Sequence, residues 1–179
     1  SASEASNSPQ TMNSRANTVG NFQPRRTDAP RCKACSRPVY QLLGGPHKTR
    51  FRAYCSILFG DTPEATYDLA RKHVDMGFTA IKFGWGPMGQ SEALDVALVR
   101  EARRGAGQDI DILVDAGQVW DWKTALTRAR QFHEFGIYWL EEPLHPEDVS
   151  GYGHLSDASP VPIAAGEAES RYVDFERLM

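Results

Sequence analysis

The recurrence of carboxylates at strand ends constrains this chain more than any other feature. Tyr138-Trp139-Leu140-Glu141-Glu142-Pro143 is an apolar strand that runs into two carboxylates and a proline. Upstream, Asp111-Ile112-Leu113-Val114-Asp115 passes through three β-formers into Asp115; downstream, Pro162-Ile163-Ala164-Ala165-Gly166-Glu167 passes through small and apolar residues into Glu167. The separations are equal, 26 residues from Asp115 to Glu141 (141 − 115) and 26 from Glu141 to Glu167 (167 − 141). Helical patterns fill the intervals. Strands alternating with helices at this length form βα units and a parallel sheet, because parallel neighbours need a crossover that is commonly a helix. Functional groups in such folds gather at the carboxyl ends of the strands. Three carboxylates meeting there would repel one another and lose hydration unless a cation lay among them. An all-oxygen set suits Mg²⁺, with water or substrate completing an octahedron.

The remaining elements follow from the same periodicities. Phe51 to Phe59 reads as a first strand, turned by Gly60-Asp61. A helix capped by Thr62, with Pro63 in its first turn, carries Ala65, Leu69, Ala70 and Val74 on one face and stops at Gly77. Phe78 to Phe83 is a second strand, closed by the loop Gly84 to Gly89. Ser91 caps a second helix with Leu94, Ala97, Leu98 and Ala102 inward, ending near Gly105 to Gly107. Asp121 caps a third with Ala125, Ala129 and Phe132 inward, ending at Gly136. Pro146 to Asp157 is expected to be short and irregular, and Ser170 to open a last helix. The fold class is therefore α/β, with about five βα units. A complete (β/α)₈ barrel takes about 250 residues, so 179 residues hold only part of one. An open part-barrel leaves an edge strand unpaired.

Three segments are expected. Residues 1–31 are rich in Ser, Asn, Thr, Pro and Arg without apolar periodicity and should be disordered. Residues 32–48 form a linker ending in the apolar stretch Pro38 to Gly45, and residues 49–179 form the part-barrel. A net charge of −3 lacks the electrostatic footprint of a nucleic-acid binder. No apolar run approaches the roughly 20 residues that span a bilayer, and no signal-peptide pattern opens the chain, so a cytoplasmic protein without membrane contact is expected. Three cysteines suit a reducing compartment; the single Cys32-x-x-Cys35 pair lacks the second pair or histidines that zinc requires.

Among residues that carry chemistry, Lys82 ends an apolar strand at the same rim as Asp115. It either binds a substrate carboxylate or neutralises the acidic cluster. Glu142 should face away from Glu141, since adjacent strand residues point to opposite faces. Trp85 walls a pocket or anchors its loop, and Gln118 and Trp120 lie where a substrate could touch them. His73 and His133 sit within helices, and His145 lies in the loop after Pro143.

With Val114-Asp115, Leu140-Glu141-Glu142-Pro143 and Gly166-Glu167 in this order, the chain resembles the mandelate racemase/muconate lactonizing enzyme branch of the enolase superfamily. The stretch Pro38 to Gly45 resembles that family's junction between capping domain and barrel. The resemblance covers about Cys32 to Met179 and implies a partial TIM-type barrel of the enolase C-terminal kind. It also implies that Mg²⁺ on Asp115, Glu141 and Glu167 binds a carboxylate substrate such as an acid sugar, with Lys82 as a catalytic residue. A base then removes the α-proton, and the metal stabilises the enediolate. A homo-oligomer is implied for the full-length form. The family's Lys-x-Lys appears here as Lys82-Phe83-Gly84, and neither the capping domain nor the strands after the fifth are matched.

The expected function is a dehydratase of polyhydroxy acids, of which this chain is a piece inactive by itself. A racemase or epimerase of the same superfamily is the alternative within that chemistry, and a metal-binding fragment without catalysis the alternative outside it. A nucleotide-binding doubly wound domain is disfavoured because Gly84-x-Gly86 lacks the third glycine of a phosphate-cradling turn.

Overall fold

Side chains that satisfy otherwise orphaned backbone N–H groups set where most of the long helices begin. The computed structural model describes residues 35–179. The expected disorder of residues 1–31, and Cys32 of the cysteine pair, lie outside them; Cys35 is exposed. In chain order the elements are α1 (Val39–Leu42), β1 (Cys55–Leu58), α2 (Pro63–Asp75), β2 (Ala80–Gly84), α3 (Glu92–Ala106) and β3 (Asp111–Asp115). They continue as α4 (Trp122–His133), β4 (Ile137–Glu141), α5 (Val149–Ala158), β5 (Ile163–Ala164) and α6 (Tyr172–Leu178). Thr62 accepts from Ala65 N, Ser91 from Leu94 N, Asp121 from Lys123 N and Thr124 N, and Asp148 from Gly151 N. The last helix begins after Arg171 without a side-chain cap rather than at Ser170.

The five strands form one parallel sheet in the order β1-β2-β3-β4-β5. Alternation along the strands separates two faces. Ile81, Phe83, Ile112, Val114 and Leu140 are fully buried against the helices. Facing them are Ala70 of α2, Leu98 and Ala102 of α3, Ala125, Ala129 and Phe132 of α4, and Leu155 of α5. Small residues let α2 and α3 approach closely: a Cβ at Gly105 would stand 2.5 Å from the Tyr67 carbonyl oxygen. The opposite face carries Ser56, Lys82, Leu113 and Trp139 in one row, and Leu58, Gly84, Asp115, Glu141 and Ala164 in the next row toward the carboxyl rim. Leu58 on that face is 58% exposed. The register between β3 and β4 shifts at Ile112/Leu113, so Tyr138 is passed over by the pairing and is exposed.

Two strands are shorter than the sequence suggests. The first is Cys55–Leu58 rather than Phe51 to Phe59, because upstream the chain is held by Arg52, whose guanidinium bonds Thr79 and Asp111 at the amino-terminal rim. The fifth stops at Ala164, short of Glu167. Among the described residues no helix is long and apolar enough to cross a membrane.

Buried charge ties the helical layer together. Asp95 of α3 is wholly enclosed; its Oδ2 accepts Arg128 Nε of α4 at 2.9 Å, and its Oδ1 accepts Gly89 N at 2.7 Å. Arg128 reaches outward to Glu92 as well, at 3.1 Å. One carboxylate thus joins two helices to the loop that follows β2. Replacing Asp95 by Ala leaves Arg128 enclosed without its buried partner, and urea unfolding is expected to show a loss of about 3–5 kcal/mol. The double variant Asp95→Leu/Arg128→Met, which removes both charges, is expected to recover much of it.

Candidate active site

The carboxyl rim is built by register. Gly84, Asp115, Glu141 and Ala164 are consecutive partners across β2 to β5. Their side chains therefore share the face turned away from the helices, with Lys82 one pleat below on the same face. Lys82 Nζ donates to Asp115 Oδ2 at 3.4 Å and forms a close ion pair with Glu141 Oε1. The three side chains are 12%, 7% and 15% exposed, so the contact is largely out of water. Burial pulls the Lys82 pKa down and is the largest single influence. The hydrogen bond and charge of Glu141 and the charges of Asp115 and Tyr54 together outweigh it and hold the ammonium above its ordinary value.

Each carboxylate keeps its second oxygen on a fixed donor. Gly117 N donates to Asp115 Oδ1 at 3.1 Å, and the Trp139 indole donates to Glu141 Oε2 at 2.8 Å. Trp139 was not among the expected site residues; its signal was its place two residues before Glu141, on the same strand face. Gly84 leaves room for the pair: a Cβ there would stand 3.3 Å from Asp115 Cβ.

Glu167 does not join them. Equal spacing in sequence is not equal phase in the sheet: Glu141 pairs with Ala164, and Glu167 follows on an exposed turn. Its carboxylate has no partner among the described residues, and no group of three or more His, Cys, Asp or Glu side chains there stands close enough to hold a metal. The structure thus gathers Lys82, Asp115 and Glu141 and leaves Glu167 at the margin. The pair that is gathered fits a cation, since both carboxylates turn an oxygen to one ammonium and Mg²⁺ is commonly held by one or two carboxylates with water or substrate.

Glu142 follows the end of β4 with left-handed backbone and is only 2% exposed. Gly166 N and Glu167 N both donate to its Oε1, at 2.6 and 3.1 Å, while Gln118 Nε2 and Tyr152 Oη approach Oε2 at 3.4 and 3.5 Å. Burial, followed by the charge of Glu142, pushes the Tyr152 pKa far up and keeps its hydroxyl a donor, chiefly to Leu144 O at 2.8 Å. Three non-glycine residues at this rim have left-handed backbone: Trp85 (φ 50°), Gln118 (φ 68°) and Glu142 (φ 43°). Each such residue costs roughly 1–2 kcal/mol, and strain of this kind concentrates at functional sites.

The other expected contacts divide. Trp85 anchors its loop through its backbone N–H, which donates to Asp115 O at 3.1 Å, while its indole lies over Gly117 and is 53% exposed. Gln118 is committed to Glu142, and Trp120 is buried beside Phe132 in the core. His73 bonds the Leu69 carbonyl, His133 is exposed, and the exposed His145 accepts from Glu147 N.

The raised pKa of Lys82 has a measurable sign. Its folded value lies above the unfolded one of about 10.4, so the stability it contributes is whole below that pH and is lost as pH rises through the folded value. The difference in unfolding free energy between wild type and Lys82→Met is therefore expected to hold steady to about pH 10 and to shrink above it. A difference that stays level at higher pH contradicts this.

Comparison with known proteins adds the context of this rim. Residues 65–179 match the family model described as enolase C-terminal domain-like. The L-Ala-D/L-Glu epimerase of Bacillus subtilis is 32% identical over 136 residues, which cover 75% of this chain and 36% of that protein. The L-talarate/galactarate dehydratase of Salmonella typhimurium is 31% identical over 154 residues, covering 83% of this chain and 37% of that protein. A crystal structure of an enolase from Bradyrhizobium, complexed with magnesium and mandelic acid, superposes with a TM-score of 0.70 at 29% identity, over 82% of this chain and 40% of that one. The chain thus spans little more than a third of the length of the first relatives it matches. From the match of most of its length to that model, and from dehydratase and epimerase relatives at this identity, the chain belongs to the enolase superfamily, in its mandelate racemase/muconate lactonizing branch, and forms part of that family's (β/α)₈ barrel.

Proposed function

We propose that this chain is the cation-binding part of an enzyme that removes the proton α to a carboxylate and dehydrates a polyhydroxy acid. The observation that carries the reading is the convergence of Asp115 and Glu141 on one cationic atom at the carboxyl rim. Asp115 and Glu141 would hold Mg²⁺, with Glu167 the further carboxylate within the same rim. Bound there, the ion supplies Lewis-acid polarisation of the substrate carboxylate. Gly117 and Trp139 hold the two ligand side chains in place through their second oxygens. Lys82, once its two partners are otherwise neutralised, is left to orient the anionic substrate.

The dehydratase reading rests on Gly84. It occupies the rim position beside Asp115, which the resemblance of Lys82-Phe83-Gly84 to the family's Lys-x-Lys pattern makes the place of the second lysine, and it has no group that moves a proton. Proton transfer is therefore not available from this position on both faces of the α-carbon, as a racemase requires. A single base on one face suffices for elimination: the α-proton leaves, the β-hydroxyl departs as water, and the enol becomes a 2-keto-3-deoxy acid. The Salmonella relative is named for that chemistry, and the Bacillus relative for epimerisation. Lacking an assigned base, the 179-residue chain is expected to bind the ion without turning over substrate.

Two measurements test this. Calorimetric titration of the chain with MgCl₂ is expected to show binding that Glu141→Gln and Asp115→Asn weaken by more than the roughly 10- to 100-fold lost with a supporting residue. Unchanged affinity in either variant removes that residue from the ligand set. The protein carrying this segment is expected to convert sugar acids such as galactarate or gluconate into semicarbazide-reactive keto acids. Racemisation of mandelate with Gly84 intact overturns the dehydratase assignment.

A further inference from the structure

The rim contains a buried anion that the chemistry above does not use. Glu142 is 2% exposed and carries no cationic partner among the described residues; its carboxylate is held by N–H and O–H donors from three other segments. One oxygen receives the consecutive N–H groups of Gly166 and Glu167, at 2.6 and 3.1 Å. Two successive N–H groups reach one oxygen where Gly166 has φ of 119°, a conformation that L side chains rarely adopt. The other oxygen is met by Gln118 from the loop after β3 and by Tyr152 from α5. The Glu142 main chain completes the tie: its N–H donates to Ala164 O at 2.9 Å, and its carbonyl accepts from Gln118 N at 2.6 Å. Hydrogen bonds to an ionised acceptor are roughly twice as strong as neutral ones, and removing them here leaves buried donors unmet.

We infer that Glu142 is a positioning residue for Glu167: its carboxylate clasps the backbone of Gly166 and Glu167, so that the third carboxylate joins Asp115 and Glu141 by turning its own side chain, without movement of the turn. The inference rests on reading the rim as a cation site. Two facts support it. The Glu167 backbone is fixed to the residue adjacent to Glu141, whereas its carboxylate is exposed and uncommitted among the described residues. The clasp also holds a turn that lies beyond the sheet pairing, since β5 contributes only Ile163–Ala164 to the sheet.

The test compares wild type with Glu142→Gln, which keeps an acceptor without the charge, and with Glu142→Gly, which removes the side chain and suits the positive φ. Gly166→Ala breaks the clasp from the other side with every carboxylate retained. Arg103→Met, at the opposite end of the sheet, serves as a destabilised control. Amide hydrogen exchange without metal reads the clasp, and calorimetric titration with MgCl₂ reads its effect. In all three clasp variants the Gly166 and Glu167 amides are expected to lose protection and Mg²⁺ affinity to fall about 10- to 100-fold, least for Glu142→Gln. Arg103→Met is expected to leave affinity unchanged. Wild-type affinity in Glu142→Gly and Gly166→Ala overturns the inference and leaves the cation site standing. Loss of wild-type protection at Gly166 and Glu167 on adding Mg²⁺ also overturns it, because the turn then moves. Absence of Mg²⁺ binding by the wild type overturns the cation site itself, and the inference with it.

Discussion

Two carboxylates in register on adjacent parallel strands cannot both stay charged out of water without a cation between them. Asp115 and Glu141 are such a pair, and much of the rim can be understood as a response to them. Lys82 lies one pleat below and on the adjoining strand, close enough to neutralise both. Gly84 omits the side chain that would crowd Asp115. The Gly117 amide and Trp139 indole take the oxygens turned away from the lysine, so neither carboxylate depends on solvent. A strong cationic demand is thereby built into the fold, whichever positive group meets it.

The two ends of the sheet use charge differently. At the carboxyl end Lys82, Asp115 and Glu141 face one another. At the amino end Arg52 pairs with Asp111 and Thr79, while Arg103 is given over to backbone carbonyls. Arg103 donates to the carbonyls of Phe135, Gly107, Ile110 and Gly136, stapling the turn before β3 to the turn before β4. Burial lowers its pKa, only partly offset by Asp111. A planar fork that satisfies four carbonyls has little left to offer a ligand. This division matches the general assignment of chemistry to one face of such folds and of stability to the other.

Helix starts were legible because each depends on a local rule: Thr62, Ser91 and Asp121 each accept from amides two or three residues on, and nothing distant alters that. The strands ending at Asp115 and Glu141 were legible because three β-formers precede a carboxylate in both. The same rule misled at Glu167, since the length of a strand is set by what pairs with it, and β4 offers partners to Ile163 and Ala164 alone. The enclosure of Glu142 was not legible, because its donors come from Gln118, Tyr152, Gly166 and Glu167, dispersed along the chain. Asp95, Arg103 and Arg128 were missed for a related reason: a charged residue on a helix reads as solvated until a neighbouring helix or turn closes over it.

The order β1-β2-β3-β4-β5 repeats the order of the chain. Each strand pairs with the one made just before it, and each crossover packs beside its predecessor, so no pairing within this sheet waits for a strand that has yet to be made. Loop-closure entropy is then met in short instalments, which favours fast folding over long-range search. On a ribosome the consequence is directional: the sheet can extend strand by strand as the polypeptide emerges, with β1 the template from which the later strands take their register.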